Sequence, residues 1–141
     1  MAENRDPDCI FCRILEGELP ASVPDEDEHT IAFMDINPWT RGHAVVVPRN
    51  HSKNLYEIPQ EDLERTMLAA KRLALRMKER LGCDGVNLLN SSEAAAWQTI
   101  WHFHVHVIPR YSDDPLQLPT RPQPADTDEL GRVAAEIRGE S

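Results

Sequence analysis

The segment His102-Phe103-His104-Val105-His106-Val107-Ile108 sets three imidazoles at alternate positions. Side chains of a strand point alternately to opposite faces, so an extended chain from Ile100 to Ile108 would line up His102, His104 and His106 about 6–7 Å apart. Phe103, Val105 and Val107 would form an ordinary core surface behind them. Three readings fit such a row: a solvated His-rich face, metal ligation, or imidazole catalysis. Burying three rings side by side costs stability, which weighs against a row without a task. One ion cannot hold all three at strand spacing unless the strand bends. An imidazole with its free pKa of about 6.5 keeps a lone pair at neutral pH, so it can attack phosphorus, and the phosphoramidate-like bond it forms is labile to water. A neighbouring imidazole can donate to a phosphate oxygen or a leaving group. Gln98 and Thr99, just upstream, could hold the remaining oxygens, or could equally be plain turn residues. Cys9-x-x-Cys12 is a second constellation, and with Cys83 it makes an odd count that looks unlike a disulfide framework and more like a metal or redox pair.

These groups need elements to position them. Asp8 is a plausible N-cap for a short helix running from Cys9 to Leu15, ended by Gly17 and Pro20. Thr30 to Met34 reads as a strand, and Gly42-His43 leads into a second, Ala44 to Val47, stopped by Pro48. From Pro59 to Leu81 the apolar residues Leu63, Met67, Ala70, Ala74, Met77 and Leu81 recur at helical spacing, with acids early, Arg80 late and Gly82 just beyond. Val86 to Leu89 reads as a strand, Ser91 to Gln98 as a loop, and Ile100 to Ile108 as the strand that carries the histidines. Leu130, Val133, Ala134 and Ile137 predict an amphipathic C-terminal helix that docks on the body or on a second subunit. Cys83 falls near a turn, and His29 among acids reads as solvated.

A chain of 141 residues is one domain, able to bury roughly two-thirds of its unfolded surface. Its net charge of −9 argues against gripping nucleic acid or an anionic membrane. Residues 1–30 carry much of the negative charge, whereas residues 31–81 are net positive and could host an anion. No apolar run approaches the ~20 residues of a bilayer span, and the first eight residues lack a secretory pattern, so a soluble, cytoplasmic protein is expected. Four of the eleven prolines fall between Pro115 and Pro124, marking a tail rather than a second domain.

His102 to Ile108 resembles the His-x-His-x-His-x-x signature of the histidine triad (HIT) family, and Cys9 to Cys12, Gly17 to Pro20, Phe33 to Pro38, Gly42-His43, Val46 to His51, Gln98-Thr99 and Pro109-Arg110 resemble its other landmarks in order. The resemblance spans about residues 9–111, leaving an acidic stub at 1–8 and a Pro-rich tail with a C-terminal amphipathic helix at 112–141. It implies a single α+β domain of HIT-like fold, a mostly antiparallel sheet with one long and one short N-terminal helix, and a homodimer. It also implies that His104 is a nucleophile attacking the α-phosphorus, that His106 stabilises phosphate oxygens, and that His43 completes the histidine cluster. Gln98, Thr99 and either Asn90 or Ser91 would contact phosphate. Asp35 would bind ribose hydroxyls, with Ile36 on the sugar, and Ile10, Phe11, Ile14 and Phe33 would wall the pocket of a purine base, each otherwise a core residue. Family members with the cysteine pair look like zinc proteins, and the corresponding set here is Cys9, Cys12, His51 and His102, a closed Cys₂His₂ site suited to structural zinc.

The sequence departs from the family pattern at the loop before the triad. Trp97 stands where glycine is usual, and Asn90-Ser91-Ser92 replaces Asn-x-Gly. Trp39, Trp97 and Trp101 lie near the expected site, to stack on a base or leaving group or to pack. The expected activity is hydrolysis or transfer at a nucleoside 5′-phosphoryl centre, as a phosphoramidase or a dinucleoside polyphosphate hydrolase, with Pro109-Arg110 leaning toward the second. The rival is a zinc-stabilised nucleotide-binding or protein-interaction module with little turnover.

Overall fold

The computed structural model describes residues 4–140. Its centre is a five-stranded antiparallel sheet in the order β1-β2-β3-β5-β4, from β1 (Asp25–Glu26), β2 (Thr30–Met34), β3 (Ala44–Pro48), β4 (Gly85–Leu89) and β5 (Val105–Arg110). Three α-helices complete it: α1 (Ile10–Leu15), α2 (Gln60–Leu81) and α3 (Thr127–Arg138). The fold is therefore the small single-domain α+β architecture that the sequence implied.

The period-2 pattern of the inner strands separates two cores. Ala44, Val46, Val105 and Val107 face α2, where they pack with Ala32, Phe103, Ala69, Ala70, Leu73 and Met77. Val45, Val47, Ile31 and Phe33 point the other way and bury Phe11, Cys9 and Cys12 of the α1 segment. The long helix thus holds up one face of the sheet, and the chemistry sits on the other. Asp25 ties the edge strand β1 to α2, accepting from Arg72 Nη2 at 2.7 Å and Arg76 Nη1 at 2.8 Å.

The turn into β3 depends on one glycine. Gly42 has φ +93°, and a Cβ there would lie 2.4 Å from Leu81 Cδ1 and 3.1 Å from Pro109 Cγ. Gly42→Ala should therefore destabilise the protein by about 2–4 kcal/mol, from left-handed strain plus overpacking. A urea melt showing no loss would contradict this close packing.

The structure differs from the sequence reading, or narrows it, at four points. The N-cap of α1 is Cys9, not Asp8, because the Cys9 Sγ accepts from the Cys12 N–H at 3.4 Å, so the helix begins at Ile10. The His-bearing strand begins at Val105, not Ile100, since the Phe103 N–H donates to Ser52 O at 2.8 Å and the Gln98 amide donates to Lys53 O and Ile100 O, so this stretch is held by loop and side-chain bonds ahead of the ladder. A short strand, β1, was missed because Asp25-Glu26 carries no apolar alternation. The C-terminal helix forms, capped by Asp126, but no residue of it is buried, and Ile137 is 82% exposed. It does not dock on the body of its own chain. The N-terminal segment is tied down from Asn4 onward, where the His51 N–H donates to Asn4 O at 2.7 Å and the Asp6 N–H to Cys12 Sγ at 3.3 Å.

Candidate active site and metal centre

The break of the strand at residue 104 splits the histidines into two groups. His104 and His106 pair, ring centroids 5.0 Å apart, and His102 pairs with His51, whose ring lies 5.0 Å from its own. The Phe11 ring meets both His102, at 5.8 Å, and His104, at 5.2 Å, so the two groups lie side by side. Each group has its own chemistry.

Hydrogen bonds fix where each imidazole carries its proton. The Trp39 backbone N–H donates to His43 Nδ1 at 3.0 Å, so neutral His43 holds its proton on Nε2, which lies 2.9 Å from His106 Nδ1. That proton occupies the His106 Nδ1 lone pair, leaving the proton of His106 on Nε2. His104 Nδ1–H donates to the His102 carbonyl at 2.7 Å, which leaves a lone pair on His104 Nε2. Asn90 Nδ2 steadies the same strand end by donating to His104 O at 2.8 Å.

Burial lowers the pKa of all three rings. His106 falls to about 4, through desolvation and then the neighbouring His104 and His43. His43 and His104 are lowered chiefly by desolvation, with Asp35 pulling partly the other way. Asp35 Oδ2 lies 3.5 Å from His43 Nε2 and 3.9 Å from His106 Nδ1, and its Oδ1 accepts from the Asn37 N–H at 2.8 Å. The trio Asp35, His43 and His106 is compact enough to suggest a cation site. The Trp39 N–H argues against it, because it requires the His43 proton on the very nitrogen that would ligate.

The second group is different. Cys9 Sγ and Cys12 Sγ lie 3.4 and 3.5 Å from His102 Nδ1, Cys12 Sγ lies 3.5 Å from His51 Nδ1, and the two Nδ1 atoms are 3.3 Å apart. Zinc bonds of about 2.3 Å to sulfur and 2.0–2.1 Å to nitrogen set tetrahedral neighbours about 3.3–3.8 Å apart, so the donor set fits zinc. The outer contacts fit as well. His102 Nε2–H donates to Pro48 O at 2.8 Å, freeing Nδ1, and backbone N–H groups point at both sulfurs. Without a cation, burial pushes the Cys9 thiol up to about 11.

The residues expected to surround a nucleotide are distributed unevenly. Phe11 and Phe33 are buried, 5.7 Å apart, and the edge of the Phe11 ring meets His104 at 5.2 Å, so they form a floor beside His104. Ile14 packs on the same cluster, Ile10 is half exposed, and Ile36 is 90% exposed on the rim. Gln98 is turned inward, contrary to the phosphate role. Its Nε2 donates to Lys53 O and Ile100 O, and its Oε1 accepts from Asn54 Nδ2 and the Glu93 N–H. Its amide is fully used in holding the loop. Thr99 is exposed, and neither it nor Ser91 has a side-chain hydrogen bond among the described residues. Sequence reasoning missed the Trp39 N–H and the buried Asn54, since neither a backbone donor nor a lone Asn carries a pattern.

Residues 16–113 match the model of the HIT domain, a match that starts after the two cysteines. The adenosine 5′-monophosphoramidase of Saccharomyces cerevisiae is 37% identical over 133 residues, which cover 94% of this chain and 82% of the yeast protein. A solved structure from Streptococcus mutans superposes with a TM-score of 0.91 at 33% identity, covering 96% of this chain and 87% of that one. A zinc-bound histidine triad family protein from Mycobacterium smegmatis superposes with a TM-score of 0.76 at 35% identity, covering 94% and 98%. With sequence and fold in agreement, this chain belongs to the HIT domain family.

Proposed function

We propose that the protein hydrolyses nucleoside 5′-phosphoryl substrates at the α-phosphorus through a nucleotidyl-His104 intermediate. The observation that carries this reading is the lone pair left on His104 Nε2 by the Nδ1–H bond to the His102 carbonyl, next to a His106 whose proton is left on Nε2. Nε2 attacks phosphorus and the bond to the leaving group breaks. The leaving atom takes a proton, for which His106 Nε2–H is the nearby donor. The His102 carbonyl stabilises the positive charge that the phosphorylated ring acquires. Water then attacks phosphorus, loses a proton to the site, and the electron pair of the P–N bond returns to Nε2. Asp35 and Ile36 would meet the ribose, and Ile10, Phe11, Ile14 and Phe33 the base, with Thr99, Asn90 and Ser91 near the phosphate. Zinc on Cys9, Cys12, His51 and His102 would be structural, fixing α1 and the main chain of His102 behind the nucleophile. The HIT domain would span 9–111, and a second copy of the chain would cover the apolar face of α3.

The two phosphorolabile classes separate in one assay. AMP release from adenosine 5′-phosphoramidate and from diadenosine polyphosphates, measured side by side, tests the activity and picks the branch. No release from either, with AMP still bound, would favour a nucleotide-binding module, a reading to which the fully engaged Gln98 amide lends support.

The acid side of the pH profile follows from burial. A histidine whose folded pKa is depressed stays neutral until the pH drops below its usual value, so His43 and His106 are both neutral at pH 7. Protonating His43 at Nδ1 would also break its bond from the Trp39 N–H. We expect kcat/KM to be flat from about pH 8 down through 6.5 and to decline only below that. An acid midpoint at or above 6.5 would contradict the buried, neutral cluster.

A further inference from the structure

Trp97 adopts a backbone that its side chain should avoid. Its φ is +76° with ψ +19°, the left-handed region, at the end of the short 3-10 turn Ala94–Ala96. Glu93, at the start of that turn, has φ +76° and ψ +159°, a region that is almost a preserve of glycine. Strain of this kind is ordinarily relieved by glycine, or offset when the side chain is well packed. Trp97 is neither. The residue is 64% exposed, and its ring makes no hydrogen bond or ring stack among the described residues. A large apolar ring held in a strained conformation with nothing on it is explained if it contacts something that comes and goes.

The surroundings indicate what that is. Trp97 and Trp39 line one open cavity of about 570 Å³, together with Leu89, Ile108 and Leu118. Leu89 pairs with His106 across β4 and β5, and Ile108 lies two residues beyond His106, on the same face of the sheet. Trp39 stacks on His106, rings 6.0 Å apart and 7° from parallel. Through Trp39 and Leu89 the cavity therefore adjoins His106, the imidazole to which the reading above gives the leaving group. Arg110 is its one cationic lining residue among the described ones, and its donors go to Asp114, Asn87 and Leu116 O. A polyphosphate would find no free cation there. An apolar ring would find two indoles.

We infer that this cavity is the leaving-group site and that Trp97 sets its preference, selecting nucleoside 5′-phosphoramidates whose amine carries an aromatic group over unsubstituted phosphoramidates and over dinucleoside polyphosphates. This rests on the hydrolase reading above and narrows it. In the step it describes, the His104 Nε2–P bond forms, the P–N bond breaks, and the aromatic amine leaves with one added proton into the cavity between Trp39 and Trp97.

The test compares AMP release from adenosine 5′-phosphoramidate and from its N-phenethyl derivative by wild type, Trp97→Gly and Trp97→Phe, with a thermal melt of each. Wild type should prefer the phenethyl substrate in kcat/KM. Trp97→Gly should lower that ratio about tenfold while melting at a higher temperature, because glycine accepts the left-handed backbone. Trp97→Phe should keep most of the preference without the gain in melting temperature. A purely structural role would make the glycine variant less stable and leave the ratio alone. An unchanged ratio in Trp97→Gly, with both substrates still turned over, would overturn the assignment and leave the hydrolase reading standing. No release from either substrate by wild type would overturn both.

Discussion

His104→Ala should lower kcat/KM for AMP release by about four to six orders of magnitude while AMP affinity changes by no more than about threefold. The asymmetry follows from the geometry. On the proposed mechanism the side chain removed supplies the attacking lone pair, but the floor beside it, Phe11 and Phe33, belongs to α1 and β2 and stays in place. His104 has its Nδ1 proton committed to the His102 carbonyl, so no other ring has the same poise: His106 has its proton on Nε2, and His43 Nε2 faces His106. His104→Gly with added imidazole should recover part of the lost rate, since the diffusible ring replaces the missing nucleophile but not its preorganisation. Full retention of turnover in His104→Ala would mean that water attacks directly and that the histidine cluster only binds.

Loss of the metal should be the largest effect on stability. The purified protein should contain about one equivalent of zinc per chain, and Cys9→Ser or Cys12→Ser should remove most of it. Chelation or either substitution should cost about 4 kcal/mol, the linkage expected when free zinc exceeds its dissociation constant about a thousandfold, and lower Tm by on the order of 10 °C. The four candidate donors come from distant points of the chain, with Cys9 separated from His102 by 93 residues, so a metal on them would close a long loop as well as bury polar groups. Activity should fall too, because His102 provides the carbonyl that orients His104 and Phe11 of α1 packs against its ring. A protein that purifies without metal and melts no lower after Cys12→Ser would refute the centre.

The long helix and inner strands were legible because their apolar spacing is regular: Thr30–Met34 and α2 lie where the pattern put them, α2 ending at Gly82, while β3 runs one residue further than read, through Pro48. The histidine strand was over-read. Alternation in sequence continues back through His102, but the main chain there is held by Ser52 O, which receives the Phe103 N–H at 2.8 Å, and such a long-range loop contact leaves no local signature. The same kind of contact hides the role of Gln98, whose type suggests a phosphate donor and whose neighbours Lys53 and Asn54 claim it. The cysteine and histidine spacings named four side chains that the fold does bring together, although residue types alone do not give their mutual distances of 3.3–3.5 Å. The Trp97 substitution was visible as a missing glycine. Its positive φ was not, because only the fold shows that the loop keeps a glycine's conformation without the glycine.

The covalent intermediate is the central claim, and trapping it is the most direct test. Wild type mixed in excess over adenosine 5′-phosphoramidate, quenched within the first turnover and digested, should yield one nucleotidyl group on the peptide that carries His104, lost on acid treatment, and His104→Ala should yield none. Complete AMP release in that single turnover with no nucleotidylated peptide, or with the group on another residue, would contradict the account.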